Sequence, residues 1–510
     1  MKKLCLIILI LFYSFGYSQL IFEKPDSSRI VRANAQSEIA SLLIDADADF
    51  FENSSSFVLN DEIYEELVIY VKKAKSLNVY FDSLKINENS TLEIYNESNE
   101  LELILNSHSN LKGGLYAIPP IKGQRLRFVF KGKKVGTEIL IGEIGYFWSS
   151  LNELATSKWC QIDVNCQEGN QWLNQKNGVV RLLLRNNSYS VYCTGTLLNN
   201  TARDCKPYIL SADHCADNIS SNDLKQSVAV FNYENSACDF DDAITENFVS
   251  GLTFRAKSSF YDGSDILLLE LNNEVPLEYN AYFNGWNISN GGFSSGVSIH
   301  HPAGDVKKIS TYSMGLTTAS EYDLTEDAYW KVNWTATING HGVTETGSSG
   351  SPIFNQEKLV VGALSGGDSR CSKPDDPDIY GKISYSWSNQ LDSSKRLDVW
   401  LDPLQTFNES LTGSYFPCDD TTKQYIPVDS ISIELNPTYR DISLYVEQNI
   451  SNSVKVFLID VSGKIIRIIE KGPSNIMLIE IPTHNMLDGL YFLVVRLGGR
   501  ERVFKVVVVN

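Results

Sequence analysis

Positive charge is scarce in this 510-residue sequence. Lysine and arginine together number 44 against 62 aspartates and glutamates, which leaves a formal net charge of −18. A protein that binds nucleic acid neutralises backbone phosphates with clustered basic side chains. The composition therefore argues against a nucleic-acid partner, whereas it is compatible with a cationic substrate.

Long apolar runs are missing beyond the first residues of the chain. Leu4–Phe12 is apolar, follows a basic start and precedes several small residues, which is typical of a secretory signal peptide. A membrane anchor is the less favoured interpretation, because the run is too short to span a bilayer comfortably. We expect residues 1–18 to be a signal peptide and the product to be secreted or held at the cell surface.

Metal-binding patterns are also absent, since no cysteine pair has the spacing of a zinc motif. His300-His301 looks like a metal-binding fragment, but no third ligand is near in sequence, so a structural role is favoured. We expect neither a metal nor another cofactor.

Eight cysteines follow the signal peptide, all between positions 160 and 418. An even set in an exported chain indicates disulfides.

The cysteine-containing region, residues 159–412, is rich in short strands, glycines and aromatic residues. It has little sustained helical periodicity, so the pattern predicts an all-β double barrel. Three motifs in this region point to chemistry.

The first two motifs suit a general base and its orienting acid. His214 follows an apolar strand and precedes Cys215, and a general base must be held rigidly. Asp265 directly precedes the apolar run Ile266–Leu271, where a shielded carboxylate can pair with His214 and fix its tautomer. Taken separately, each has a plain alternative: a structural histidine beside a disulfide and an ordinary aspartate at a strand start.

The third motif, Gly347–Pro352, suits an attacking serine. Its glycines allow a tight turn, which can aim the amides of Gly347 and Ser349 at a developing oxyanion. Alone it would be weak evidence, because Gly/Ser/Pro runs are usually surface turns. The chain order His214, Asp265, Ser349 is a known order for serine proteases. Together the motifs predict a serine endopeptidase that forms an acyl-enzyme on Ser349.

Residues 160–405 resemble the lysyl endopeptidase family of trypsin-like serine proteases. The resemblance implies a two-barrel fold, protein or peptide substrates and no cofactor, with His214 as base, Asp265 as orienting acid and Ser349 as nucleophile. The stretches that carry it are Cys160–Cys166, Cys193–Thr201, Asp213–Cys215, Ser264–Leu271, Ile299–Pro302 and Gly342–Pro352.

The family's disulfide pattern is also implied by this resemblance. The pairs it implies are Cys160–Cys371, Cys166–Cys238 and Cys193–Cys215. Cys205 and Cys418 are then left over and could pair with each other.

Specificity is expected downstream of the serine. Ser365, Gly366 and Gly367 resemble the strand against which trypsin-like enzymes bind the substrate backbone. Ordinary trypsins place the pocket acid at the position of Val343, whereas lysyl endopeptidases place it at Asp378. A buried carboxylate there would select a basic residue, preferentially Lys.

Some positions depart from the family pattern or leave its assignment open. Asp376 is a rival to Asp378 in the same acidic run. Ser365 replaces a family histidine, and the pocket-side tryptophan has no clear match in Ala319–Tyr322, so arginine remains a possible second substrate residue. Ser348 replaces the aspartate that captures the new N-terminus in many trypsins, which favours activation by removal of a propeptide.

That propeptide is expected at residues 19–158. This region lacks cysteine and alternates apolar with polar residues, as in Thr91–Tyr95, which predicts a β-sandwich. A binding module is the alternative, but the position before a protease favours a propeptide. Lys158–Trp159 is a plausible activation cut.

The C-terminal part begins with a linker at residues 413–430, and residues 431–510 predict a β-sandwich of about seven strands. That sandwich resembles the C-terminal sorting domain of the type IX secretion system, whose machinery would then be a partner. The resemblance rests on Asn436-Pro437, Asp460–Lys464, Gly489–Phe492 and Lys505–Val509. A carbohydrate- or protein-binding module is the alternative.

Two competing functions remain open at this point. A glutamyl endopeptidase-like protease shares the serine turn, but its pocket would need basic or polar groups. A catalytically inactive surface adhesin on a protease fold is the other, although all three triad residues are present. We expect the predicted protease to be a monomer.

Overall fold

The computed structural model describes residues 18–36, 39–59, 62–148, 157–238, 247–320, 324–389 and 391–418, followed by 431–434, 442–447, 454–460, 464–471, 476–481, 486, 489–497 and 500–508. The predicted signal peptide, except for Ser18, and most of the predicted linker lie outside these residues. Strands predominate over short helices in the described parts, which confirms the all-β prediction. The chain divides into two compact units. The larger unit comprises Met1–Thr201, Lys206–Val275 and Tyr282–Gly413. The smaller unit comprises Ala202–Cys205, Pro276–Ala281 and Ser414–Asn510.

The N-terminal part of the larger unit has two sheets around one apolar core, which is the sandwich that the alternating pattern predicts. One sheet has the order β1-β4-β10-β6-β7 with β3 beside β4, and β2, β11 and β5 follow one another in the other sheet, with β8 and β9 beside β5. Phe81 and Phe128 are fully buried between them. The strands are β1 Gln19–Phe22, β2 Ile39–Asp49, β3 Ser55–Leu59, β4 Glu62–Val71, β5 Ser76–Lys85, β6 Thr91–Tyr95, β7 Leu101–Leu105, β8 Tyr116–Ala117, β9 Ile121–Lys122, β10 Arg125–Lys131 and β11 Glu138–Phe147, with helices α1 Ser27–Ala35 and α2 Phe50–Asn53.

The remainder of the larger unit forms the two barrels. The first consists of β13 Val179–Asn186, β14 Tyr189–Leu198, β15 Tyr208–Ala212, β16 Val228–Val230, β17 Phe248–Ser250, β18 Leu252–Ser258 and β19 Ile266–Leu271. The second contains β12 Ile162–Asp163, β21 Trp286–Asn287, β22 Gly296–His300, β23 Lys308–Tyr312, β24 Thr317–Thr318, β25 Tyr329–Val332, β26 Pro352–Phe354, β27 Val360–Gly367, β28 Asp378–Lys382 and β29 Ser410–Leu411. The larger unit also contains the short β20 Tyr282–Phe283 and the helices α3 Leu173–Lys176, α4 Ser221–Lys225 and α5 Asp398–Leu401.

The N-terminal sandwich and the first barrel share one sheet. Strand β2 pairs antiparallel with the start of β14, with Leu42 opposite Tyr189 and Ser41 opposite Ser190. The two buried serine hydroxyls lie 2.6 Å apart, and Arg185 of β13 forms an ion pair with Glu143 of β11. Backbone pairing thus joins two regions that the sequence presents as separate domains.

The smaller unit holds the C-terminal strands. Within its described residues, seven strands form one sheet with the order β31-β32-β35 and another with the order β34-β33-β36-β37. The predicted Asn436-Pro437 entry lies outside the described residues. The seven strands are β31 Ile431–Glu434, β32 Ile442–Glu447, β33 Val454–Asp460, β34 Ile465–Lys471, β35 Ile476–Ile481, β36 Gly489–Leu497 and β37 Arg500–Val508, and the short β30 Ser414–Tyr415 precedes them.

Four disulfides occur among the described residues, and they are the expected pairs. Three lie in the larger unit and the fourth in the smaller one: Cys160–Cys371, Cys166–Cys238, Cys193–Cys215 and Cys205–Cys418. Cys160 is 211 residues from its partner, so that bond ties the start of the barrel region to its far end. Among the described residues no helix is long and apolar enough to cross a membrane.

Loss of the Cys193–Cys215 disulfide is expected to destabilise the first barrel. The bond closes a loop with a sequence separation of 22 residues. A Cys193→Ser/Cys215→Ser variant, which lacks the bond, should have a free energy of unfolding lower by about 3 kcal/mol. Denaturant unfolding without reductant measures this. The Cys205→Ser/Cys418→Ser variant is the control for general loss of a disulfide, and an unchanged unfolding midpoint in the Cys193/Cys215 variant would contradict the expectation.

Candidate active site

Asp265 and His214 are in direct contact. Asp265 is fully buried, and its Oδ2 lies 2.7 Å from His214 Nδ1. Its Oδ1 accepts a hydrogen bond from the His214 backbone N–H at 3.0 Å. A carboxylate at Nδ1 holds the proton on that nitrogen, so Nε2 is the nitrogen that can accept a proton from a nucleophile. The structure therefore brings the predicted base and acid together with the ring orientation fixed.

The second barrel supports the backbone that presents Asp265. A Cβ on Gly381 of β28 would lie 1.7 Å from the carbonyl oxygen of Ser264, so only glycine permits this approach. The hydroxyl of Ser264 also donates to the carbonyl of Lys382 at 3.2 Å. Asp265 itself has a left-handed backbone with a φ of 53°, which is uncommon outside glycine. Contact between the barrels thus fixes where the aspartate enters the site.

Ser349 lies in a turn that needs both of its glycines. Gly347 and Gly350 have φ angles of 91° and 80°, in the left-handed region that favours glycine. A Cβ on Gly350 would lie 2.1 Å from Ser211 Oγ, in the strand that leads to His214. Ser349 is partly exposed while its neighbours in the turn are buried. The turn therefore presents the serine from a fixed backbone.

Strand β14 connects the serine turn to the histidine. Thr194 donates its backbone N–H to the carbonyl of Ser349 at 2.8 Å. The preceding Cys193 is bonded to Cys215, which follows His214 in sequence. The two predicted catalytic side chains thus come from segments that are anchored to adjacent residues of one strand.

The predicted oxyanion hole uses the N–H groups of Gly347 and Ser349. Hydrogen bonds to the carbonyl groups of the same two peptides fix their orientation. The carbonyl of Thr346 accepts from Ala303 N at 2.6 Å, and that of Ser348 accepts from Ser351 N at 2.9 Å. In a trans peptide the N–H points opposite to the carbonyl. The N–H groups of Gly347 and Ser349 therefore point away from these two donors.

Asp378 is a buried carboxylate with neutral hydrogen-bond donors around it. It is fully buried and accepts from Trp334 Nε1 at 2.7 Å, Thr344 Oγ1 at 2.8 Å, Ser369 Oγ at 2.6 Å and Ser369 N at 3.1 Å. Burial raises the pKa of Asp378, and these hydrogen bonds offset the rise only in part. A buried carboxylate of this kind is stabilised by an arriving cation.

The residues that surround Asp378 were not identified from the sequence. Trp334, Thr344 and Ser369 are 44, 34 and 9 residues away along the chain, and no motif connects them. A lone tryptophan just after a strand was the only available signal for Trp334, and it is a weak one. The rival Asp376 is 40% exposed and lies 3.8 Å from Lys373, so the structure singles out Asp378 as the buried acid.

The predicted substrate strand borders the serine turn. Ser365, Gly366 and Gly367 end β27, and the preceding Leu364 accepts a hydrogen bond from Gly350 N at 2.8 Å. A Cβ on Gly367 would lie 2.0 Å from Asp378 Oδ1, whereas nothing lies within 4 Å of a Cβ built on Gly366. The glycine pair thus makes room for the acid on one side and leaves open space on the other.

His300 and His301 lie behind the serine turn. Nδ1 of His300 lies 2.7 Å from Ser348 Oγ and its Nε2 lies 3.2 Å from Ser310 Oγ. Nδ1 of His301 lies 2.8 Å from the carbonyl of Asp305. Burial lowers the pKa of His300 to about 3. No group of three or more potential metal ligands occurs among the described residues, and the neutral His300 serves to hold Ser348.

Sequence comparison places this region near a known family. Residues 154–381 match the family model described as lysyl endopeptidase, C-terminal domain. The lysyl endopeptidase of Pseudomonas aeruginosa is 31% identical over 256 residues, which are 46% of this chain and 52% of that protein. The chain thus spans about half the length of the curated relative it matches. Both findings support the family for the barrel region, and the family model does not extend to residues 431–510.

Two of the similar solved structures are proteases of low sequence identity. Neuropsin, a serine protease expressed in the limbic system of mouse brain, is 15% identical, with 44% of this chain and 94% of that chain covered and a TM-score of 0.29. A Glu endopeptidase is 16% identical, with 41% and 85% covered and a TM-score of 0.26. At these scores neither likeness bears on activity.

Because His300 is buried in its neutral form, we expect the free energy of unfolding to fall in acid. Its folded pKa of about 3 lies below the unfolded value of about 6.5, so the unfolded chain binds more protons between these values. The His300 contribution is therefore complete above pH 6.5 and decreases by about 1.4 kcal/mol per pH unit below it.

Unfolding by denaturant between pH 4 and 7 measures this dependence. A His300→Asn variant, which cannot be protonated, should show a shallower slope. His108→Asn is the matched control because His108 is exposed. Equal slopes for the wild type and His300→Asn would contradict the assignment.

Proposed function

We propose that this chain is a secreted serine endopeptidase that cleaves peptide bonds after basic residues, preferentially Lys. The observation that carries the proposal is the contact of buried Asp265 with the partly exposed His214, beside a glycine-bounded Ser349 turn. The family match of residues 154–381 supports the same activity. The buried carboxylate of Asp378, which has only neutral donors among its hydrogen-bond partners given above, supports the basic specificity.

The mechanism follows from the orientation of His214. Nε2 takes the proton from Ser349 Oγ as that oxygen attacks the scissile carbonyl, and buried Asp265 stabilises the imidazolium that forms. The N–H groups of Gly347 and Ser349 donate to the oxyanion. His214 then protonates the leaving amine, which leaves an acyl-enzyme on Ser349. A water molecule that His214 activates releases the acid product.

The proposed specificity rests on the charge state of the pocket. Burial raises the pKa of Asp378, so its ionised form is costly until a cation pairs with it. A substrate ammonium in the pocket provides that cation, whereas a substrate glutamate would add a second buried negative charge. This acid argues against the glutamyl endopeptidase alternative. The intact Asp265–His214 contact argues against the inactive adhesin.

Residues 19–158 are proposed to act as a propeptide that is cut after Lys158. Trp159 is 85% exposed and the Lys158 side chain is 61% exposed, so the bond between them is accessible. Pairing of β2 with β14 would hold the cut propeptide in place until this pairing breaks.

We propose further, from sequence resemblance alone, that residues 431–510 direct export by the type IX machinery.

Replacement of the nucleophile tests the activity. Ser349→Ala should reduce kcat by about 10⁶-fold, since removal of a triad serine has this order of effect, and it should abolish labelling by a fluorophosphonate. Ser348→Ala is the neighbouring control, because that hydroxyl contacts His300. Labelling of the Ser349→Ala chain at the wild-type rate would rule out Ser349 as the nucleophile.

Replacement of the pocket acid tests the specificity. Asp378→Asn preserves the side-chain shape but removes the charge, so kcat/KM for Lys peptides should fall by about 10²- to 10³-fold, the equivalent of losing one buried ion pair. Asp376→Asn, at the half-exposed rival position, should leave kcat/KM unchanged. If Asp376→Asn showed the loss instead, the pocket assignment would be wrong. Hydrolysis of matched Lys and Leu peptides provides the measurement.

A further inference from the structure

Thr194 is connected to both ends of the Ser349 turn. Its backbone N–H donates to the carbonyl of Ser349 at 2.8 Å, and its hydroxyl donates to the carbonyl of Gly347 at 2.9 Å. The same hydroxyl accepts from His301 N at 3.0 Å, and the carbonyl of Thr194 accepts from Ser211 Oγ at 2.8 Å. The side chain is fully buried. The mechanism above does not use this hydroxyl.

Gly347 needs such a contact because its own backbone does not fix it. Glycine reaches left-handed and extended conformations at similar cost, so the peptide groups on either side of Gly347 can rotate unless other groups hold them. The Thr194 hydroxyl holds the peptide that follows Gly347. Ala303 N holds the one that precedes it, through the carbonyl of Thr346 at 2.6 Å.

Ala303 and Thr194 are parts of one connected support. Ala303 has a left-handed backbone, with φ 55° and ψ 15°, a conformation that costs about 1–2 kcal/mol for a residue with a Cβ. This conformation occurs in the turn where Ala303 N reaches Thr346. The turn is held by Arg181, whose NH1 donates to the carbonyl of Gly304 at 2.9 Å, and by the contact of His301 N with the Thr194 hydroxyl.

We propose that Thr194 is a positioning residue for the oxyanion hole. Its hydroxyl fixes the peptide that follows Gly347, while Ala303 N fixes the preceding peptide, which carries the Gly347 N–H. Thr194 thereby limits rotation of the Gly347 backbone away from the orientation in which its N–H faces the reacting carbonyl, and it acts on the reaction only through Gly347. This inference rests on the proposed serine endopeptidase activity. It adds a residue that contacts neither the substrate nor the triad side chains.

A neighbouring threonine provides a matched control. Thr196 lies two residues further along β14 and is also fully buried. Its hydroxyl contacts the carbonyl of Gly178 at 3.4 Å and accepts from Asn284 Nδ2 at 2.9 Å. Neither partner belongs to the serine turn. A general loss of stability on removing a buried threonine hydroxyl should therefore appear in the valine variants of both Thr194 and Thr196. A loss of catalysis should appear only in the Thr194 variant.

The experiment compares Thr194→Val, Thr194→Ser and Thr196→Val in the full chain after identical processing. Removal of an oxyanion donor costs about 10²- to 10³-fold in kcat, and a donor that is left in place but no longer held should cost less. We expect kcat of Thr194→Val to fall about 10- to 100-fold with KM nearly unchanged. Fluorophosphonate labelling should slow by a similar factor. Thr194→Ser should restore both, and Thr196→Val should leave both as in the wild type.

The outcomes separate this inference from the proposed function. If the wild-type chain neither hydrolyses peptides nor labels, the proposed function fails. If the wild type is active and Thr194→Val retains its kcat, or if Thr196→Val loses as much, the positioning role is overturned. If Thr194→Val does not fold, Thr194→Ala takes its place. If neither variant folds while Thr196→Val does, Thr194 has a purely structural role, and the inference is overturned.

Discussion

The site depends on one short piece of backbone, Cys193-Thr194 in β14. Cys193 is covalently tied to the residue after His214, and Thr194 is hydrogen bonded to the serine turn through its main chain and its side chain. The histidine and aspartate come from the first barrel, while the serine turn comes from the second. Acyl transfer requires these groups to keep their relative positions within a fraction of an ångström. One rigid strand that contacts both sets meets this requirement.

Two buried aspartates have different hydrogen-bond partners, which would suit different tasks. Asp265 faces the imidazole of His214. In the proposed mechanism that imidazole becomes a cation, so the charge of Asp265 would be compensated when it is needed. Asp378 is surrounded by neutral donors from Trp334, Thr344 and Ser369, and burial raises its pKa. Its compensating charge has to come from outside the protein. In the proposed function, the first arrangement would stabilise a transition state and the second would select a substrate.

The triad candidates could be identified from the sequence because each lies in a short local pattern. His214 precedes a cysteine, Asp265 precedes an apolar strand, and Ser349 lies between two glycines. The contacts that hold them could not be identified in this way. The Thr194 hydroxyl reaches Gly347 across 153 residues, and β2 joins β14 across about 150 residues through plain backbone pairing. Such contacts depend on tertiary packing, which leaves no mark on the local pattern.

The most direct test of the proposed activity is cleavage of a diverse peptide library by the processed full chain, with the products identified by mass spectrometry. We expect cuts after Lys, since Asp378 supplies a buried negative charge for the substrate ammonium. Additional cuts after Arg would leave the pocket assignment in place and broaden the specificity to both basic residues. Cuts after Glu would contradict the acidic pocket, and the absence of any cut would contradict the activity itself.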